Sequence, residues 1–223
     1  MIPNVSHCHG CVFDFDGTII VSEHIHMRAW EDLARDEGLL LPEGFLERSV
    51  GHSDRQLILI LAQSWDRVHD AAALLATKKA HYMKRCIDEC HEVVGVKAAI
   101  LKLRENGIPM TIATSSSREE VIPVLSRIGI LDCFVRLWTV EDVSHPKPHP
   151  EIYEKASKSL GLRPEQCLAF EDSIAGVTSA REAGCSLVTV QTLYSAEILG
   201  TAILSVRDFA DETLVKLLGT LRP

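Results

Sequence analysis

Short apolar runs alternate with stretches of helical periodicity over most of the chain, and this alternation limits the fold more than any other feature. The runs are CVFDF (11–15), PMTIAT (109–114), CFVRLW (133–138), CLAF (167–170) and SLVTV (186–190), and AILSV (202–206) offers a sixth. Strand-helix alternation is the signature of a parallel sheet covered by helices. The pattern therefore predicts an α/β fold, a Rossmann-like parallel sheet core.

The helices between the runs have readable ends. Residues 97–106 stop at Gly107, with Pro109 beyond. Pro150 suits the first position of PEIYEKASKSLG, whose apolar stripe is Ile152, Tyr153, Ala156 and Leu160 and whose close is Gly161. Another helix begins at DSIAGV and ends at Gly184. In SSREEVIPVLSRIG, Ser117 and Glu120 form a capping box but Pro123 lies inside, so a kink or a later start is expected.

From Ser22 to about Val94 the alternation breaks: no convincing strand is present, and the interval reads as several helices. Ser22 can cap a helix with Ile25, Ala29, Trp30, Leu33 and Ala34 on one face, and a second stripe runs through Leu57, Ile58, Leu61 and Ala62. Trp30 is expected in the core of this insertion and Lys78 as a solvated helix charge.

A net charge of −8, from 23 Lys and Arg against 31 Asp and Glu, argues against nucleic acid or an anionic membrane as the main partner. No apolar run reaches the roughly 18 residues of a membrane helix, and MIPNVSHCHG lacks the regions of a signal peptide, so a cytoplasmic location is expected. Seven cysteines without a framework spacing fit reduced thiols. HCHGC sets Cys8 and Cys11 with two residues between them and His7 and His9 around Cys8, but no second pair stands at zinc-site spacing, and plain thiols are the better reading.

In open parallel sheets, ligands sit beyond the carboxyl ends of the strands. The first run ends in Asp14 and Asp16, the second in ATSSS and the fourth in Glu171 and Asp172, and the loop after the third carries Lys147 in HPKPHP. Carboxylates grouped without soft ligands favour Mg²⁺, and with Lys147 the ion would balance their charge and leave a pocket for a phosphate dianion. Asp14 can then act as nucleophile and Asp16 as general acid and base, while Gly17 lets the chain turn out of the sheet. DFDG does not fit a calcium loop, because Gly17 falls fourth from Asp14 rather than sixth and no Glu stands twelfth.

The ordered motifs DFDGT, IATS, PKPHP and FEDS resemble those of the haloacid dehalogenase superfamily over nearly the whole chain. The helical insertion after the first motif places the closer likeness with the β-phosphoglucomutase-like branch and its sugar-phosphate phosphatases. The resemblance implies a catalytic core of residues 1–21 and 95–223 and a helical cap of residues 22–94. It implies catalytic roles for Asp14, Asp16 and Lys147, and a Mg²⁺ site of Asp14, the Asp16 carbonyl and Asp172, with Glu171 beside it. The phosphate ligands would be Lys147 and Thr114, with Ser115 as the alternative second-motif residue. A cap could bring His26, His52 and Arg55 towards a sugar or polyol. Val21 stands where many relatives carry an acid, and Pro146 where Gly is common.

The expected activity is a Mg²⁺-dependent phosphatase that hydrolyses a small phosphate monoester, such as a sugar or polyol phosphate, through an aspartyl-phosphate. A sugar phosphomutase is the alternative. The expected partner is a small phosphorylated metabolite, with no nucleic acid and no membrane, and the chain is expected to act as a monomer. A dehalogenase is disfavoured, since members that cleave carbon–halogen bonds lack an acid like Asp16.

Overall fold

The computed structural model describes residues 2–46 and 54–223. The chain divides into two compact units, Met1–Val21 with His91–Pro223, and Ser22–Cys90.

The first unit is built on a six-stranded sheet of β1 (Gly10–Phe13), β4 (Met110–Ala113), β5 (Leu137–Trp138), β6 (Cys167–Glu171), β7 (Ser186–Val190) and β8 (Leu204–Val206). The order across it is β5-β4-β1-β6-β7-β8, and every neighbouring pair is parallel. The chain builds outward from β1 through β4 and β5, then returns to lay β6, β7 and β8 on the other side. The carboxyl ends of β1, β4 and β6 therefore meet where the winding reverses, the usual place for a ligand crevice.

Both faces of this sheet are covered, which is why its strands are apolar throughout. Val12 and its register partner Ala169 pack with Ile152, Tyr153 and Ala156 of helix Glu151–Ser159, and with Val177 and Ala180 of helix Ile174–Ala183. The next pair, Phe13 and Phe170, points the other way by the two-residue period of a strand. Their rings stack with centroids 4.4 Å apart, and Phe209 covers both.

Two local expectations differ from the structure. The run at 133–138 yields a strand only at Leu137–Trp138, preceded by a 3-10 turn at Leu131–Cys133. β5 is an edge strand that pairs with β4 alone, so nothing on its outer side holds the earlier residues extended. Of the kink or later start expected at Pro123, the later start is absent, because helix Arg118–Ile128 begins directly after Ser117. The capping box sets this start: the Ser117 N–H and hydroxyl donate to Glu120 Oε2 at 2.7 and 2.6 Å.

A second, two-stranded antiparallel sheet pairs β2 (Ile20–Val21) with β3 (His91–Glu92). β3 falls in the interval that reads as strand-free in the sequence. At two residues it is too short to leave a periodic signal.

The second unit contains helices Glu23–Asp36, Asp54–Ser64 and Ala71–Glu89. Trp30, Leu33, Phe45, Leu57, Ile58, Leu61, Ala62 and Leu74 form its core. Ser22 stands at the N-cap position, but its side chain makes no capping hydrogen bond; its carbonyl accepts from the N–H groups of Ile25 and His26.

Lys78 corrects the expectation of a solvated charge, because its side chain is fully buried. Along Ala71–Glu89 the buried residues Leu74, Lys78, Tyr82 and Cys86 recur every four positions, so Lys78 lies on the inward stripe. Its ammonium donates to Asp54 Oδ2 at 2.5 Å and His26 Nδ1 at 2.7 Å, and lies 5.0 Å from the Trp30 ring centroid. Among the described residues no helix is long and apolar enough to cross a membrane.

Candidate active site

At the carboxyl ends of β1, β4 and β6 the chain collects three buried acids. Asp14 follows β1 directly, Glu171 is the last residue of β6 and Asp172 comes next. All three are buried, and one carboxylate oxygen from each lies within 4.8 Å of the others. Lys147 stands 133 positions from Asp14 in sequence and beside it in the fold. Lys147 Nζ donates to Asp14 Oδ1 at 2.6 Å, Glu171 Oε1 at 2.6 Å and the Ala113 carbonyl at 2.8 Å.

Two glycines make room for these acids. Gly17 has φ +72°, and a Cβ there would lie 1.8 Å from Asp172 Oδ2, so neither the turn nor the approach accepts a side chain. A Cβ on Gly176 would meet Glu171 Oε1 at 1.8 Å. The Glu171 carboxylate thus occupies space that the helix leaves open.

Further partners escaped the sequence reading. Tyr153 donates its hydroxyl to Glu171 Oε1 at 2.7 Å, and Ser173 donates both its N–H and its hydroxyl to Glu171 Oε2. The Thr192 hydroxyl lies 2.6 Å from the Gly17 carbonyl and 3.1 Å from Asp172 Oδ2. Ser116 donates its hydroxyl to Asp16 Oδ2 in a short contact. Ser116 stood in view within ATSSS, whereas nothing local marks Thr192, which follows β7 in a loop.

The electrostatics reflect too much negative charge in too little water. Burial, then the charge of Glu171, pushes the Asp14 carboxyl up to about 8 from its ordinary value. Asp172 is raised in the same direction by burial and by Asp14 and Glu171. Burial alone would lower Lys147, but the Asp14 and Glu171 charges overcome it and hold the ammonium above its ordinary value. Ionised together, the three acids would carry two charges more than the one ammonium balances, which a divalent cation with hard oxygen ligands would match.

The remaining expected residues are placed as follows. Thr114 is buried just past β4, with its Oγ1 accepting from the Ser116 N–H at 3.0 Å, while Ser115 is exposed. His26 lies in the helical unit beside Lys78, its ring stacked on Tyr82 at 4.1 Å. Arg55 is exposed on helix Asp54–Ser64, and His52 lies outside the described residues. Cys8 and Cys11, like the other five cysteines, are buried thiols.

The family model of haloacid dehalogenase-like hydrolases matches residues 11–190, which spans every motif just described. The chain belongs to that family. It is 30% identical over 200 residues to the validoxylamine A 7'-phosphate phosphatase of Streptomyces hygroscopicus subsp. limoneus, covering 90% of this chain and 93% of that one. It is 33% identical over 184 residues to hexitol phosphatase A of Escherichia coli K12, covering 82% and 83%. Its fold matches that of a β-phosphoglucomutase from Clostridium difficile with a TM-score of 0.76 at 24% identity, over 95% of this chain and 99% of the other.

Proposed function

We propose that the chain is a Mg²⁺-dependent phosphatase that hydrolyses a sugar or polyol phosphate through an aspartyl-phosphate on Asp14. The carrying observation is the single ammonium of Lys147 held between Asp14 and Glu171, with Asp172 alongside. The chain is a hydrolase acting on phosphate monoesters, and the relatives from Streptomyces hygroscopicus and Escherichia coli described above are both named for phosphatase activity.

Asp14, Asp172 and the Asp16 carbonyl would hold Mg²⁺, with Glu171 beside them. When bound, the ion supplies charge neutralisation for the acids and the phosphoryl oxygens. Lys147 and Thr114, with Ser115 as the alternative, bind the phosphoryl group. One Asp14 carboxylate oxygen attacks phosphorus as the bond to the leaving oxygen breaks, and Asp16 gives that oxygen its proton. Asp16 then removes a proton from water, whose oxygen attacks the same phosphorus and frees Asp14 and inorganic phosphate. Ser116, donating to Asp16 Oδ2, orients this acid.

This site meets only the phosphate, which all such esters share, so discrimination between leaving alcohols falls to the inserted helical unit as a cap, through His26, His52 and Arg55. A screen of hexitol and sugar phosphates with Mg²⁺, read by ³¹P NMR, tests the reading. Inorganic phosphate as the product supports a phosphatase; an isomeric sugar phosphate indicates a mutase, and no turnover on any ester overturns both. Arg55→Ala should reorder the ranking of these substrates while sparing a small generic ester. Equal losses on all of them remove Arg55 from selection.

A further inference from the structure

The loop that delivers Lys147 carries a second group of metal-ligating side chains, chemically unlike the first. His145 and His149 stand two residues on either side of Lys147, and Glu151 opens the next helix. One ligand atom from each of these three residues lies within 4.8 Å of the others. The two imidazole rings stack with centroids 4.5 Å apart, and with Pro146, Pro148 and Glu182 they line an open hollow of about 430 Å³. Nothing in the phosphatase reading uses them.

The hydrogen bonds identify the contacts that an ion would replace. His149 Nδ1 accepts from the Glu151 N–H at 3.2 Å, so this nitrogen is unprotonated, and its one lone pair turns to an ion only as the ring rotates off that N–H. His145 Nδ1 lies 3.0 Å from Glu151 Oε2, and between an imidazole and a carboxylate that spacing holds the imidazole proton. Glu151 is anchored: its Oε1 accepts from Lys155 Nζ at 2.6 Å and the Ser144 N–H at 3.0 Å, and Oε2 also accepts from the His145 N–H at 2.9 Å. Held this way, the carboxylate has the outer partners that orient a metal ligand.

We propose that His145 Nδ1, a ring nitrogen of His149 and Glu151 Oε2 form a binding site for Zn²⁺ or a similar borderline transition-metal ion, distinct from the all-oxygen site at Asp14. Ligands about 2.0–2.2 Å from a tetrahedral zinc stand roughly 3.3 Å apart. The separation of up to 4.8 Å closes by rotation of two exposed rings, without movement of a buried group. The ion takes the place of the proton between His145 and Glu151, which moves to His145 Nε2 as the other tautomer. Water in the hollow completes the coordination. Two imidazoles exclude Mg²⁺ and Ca²⁺ as the natural occupant. The bound ion ties both ends of the segment 145–149 and so fixes the backbone that presents Lys147.

Calorimetric titration with Zn²⁺ in saturating Mg²⁺, so that the acids are already occupied, tests the site. One zinc per chain is expected, with affinity reduced about tenfold or more in His149→Gln and in the His145→Gln, His149→Gln double variant. Asp172→Asn should bind zinc like the parent. Both histidines are exposed, so an unchanged thermal unfolding transition confirms that the variants fold. Zinc binding unaltered by the histidine variants, binding lost in Asp172→Asn, or no binding by the parent overturns the proposal.

Discussion

Lys147 in the sheet unit and Lys78 in the helical unit are both buried lysines held by carboxylates, yet their surroundings balance differently. Among the described residues Lys78 meets one acid, Asp54, together with the His26 ring nitrogen and the faces of Trp30 and Tyr82. Its charge is matched one for one, and aromatic faces take up the rest of its surface. Lys147 meets Asp14 and Glu171, with Asp172 close behind, so its cluster carries surplus negative charge once these acids ionise. A balanced cluster can close on itself and serve stability. A cluster with surplus charge is complete only with something else bound, and that need distinguishes a site from a strut.

The largest expected effect tests the unbalanced cluster. Asp14→Asn keeps the shape of the side chain but removes the nucleophile and one negative charge. Turnover should fall by about 10⁴-fold or more while the thermal unfolding transition remains. A variant that keeps most of its activity would remove Asp14 from the chemistry and with it the meaning assigned to the surplus charge.

Asp16→Asn comes next, with a loss of about 10²–10⁴-fold on a sugar phosphate. The loss should shrink on an ester whose leaving group needs no proton, because the missing function is protonation of the leaving oxygen. Rates measured on a sugar phosphate and on a nitrophenyl ester separate the two cases. Equal losses on both would assign Asp16 to orientation alone.

Much of the sheet cluster was legible because its acids stand at the ends of apolar runs, and parallel topology brings such ends together. Asp14, Glu171, Asp172 and Lys147 each lie within a few residues of a strand or its following loop. Thr192, Tyr153 and Gly176 escaped notice for a physical reason: their roles arise from approach across the fold, and each looks locally like an ordinary loop or helix residue. Lys78 is a different case, since the four-residue spacing of Leu74, Lys78, Tyr82 and Cys86 was readable. The cation at its second position hid the stripe. The edge strand β5 was overextended because an apolar run reports burial, whereas strand length also requires a partner.

The balanced cluster is tested through stability. Lys78→Met keeps an unbranched apolar side chain but strands Asp54, which is 32% exposed and so recovers part of its hydration. Breaking a buried pair costs about 3–5 kcal/mol, and the exposure of Asp54 reduces this to about 2 kcal/mol. The expected fall in Tm is about 4–8 °C for a chain of this size. Adding Asp54→Asn should recover part of the loss, and a double variant no better than the sum of the singles would show that the two groups are not coupled.

The smallest effect sharpens the comparison by pH. Because the folded Asp14 carboxyl is raised to about 8 from 3.8, its contribution favours the metal-free fold at low pH and is lost as pH rises through about 8. Asp172 acts in the same direction. A divalent ion must displace such a proton, so its advantage grows with pH, by at most about 1.4 kcal/mol per pH unit for each proton released. The gap in Tm between Mg²⁺-loaded and chelator-treated protein should therefore widen from pH 6 to pH 8. Lys78→Met lowers both Tm values but should leave this widening unchanged, since the surplus charge resides at Lys147. A gap that stays constant or narrows with pH would mean that the raised acids do not receive the ion; a gap altered by Lys78→Met would mean that the two clusters do not divide stability and binding between them.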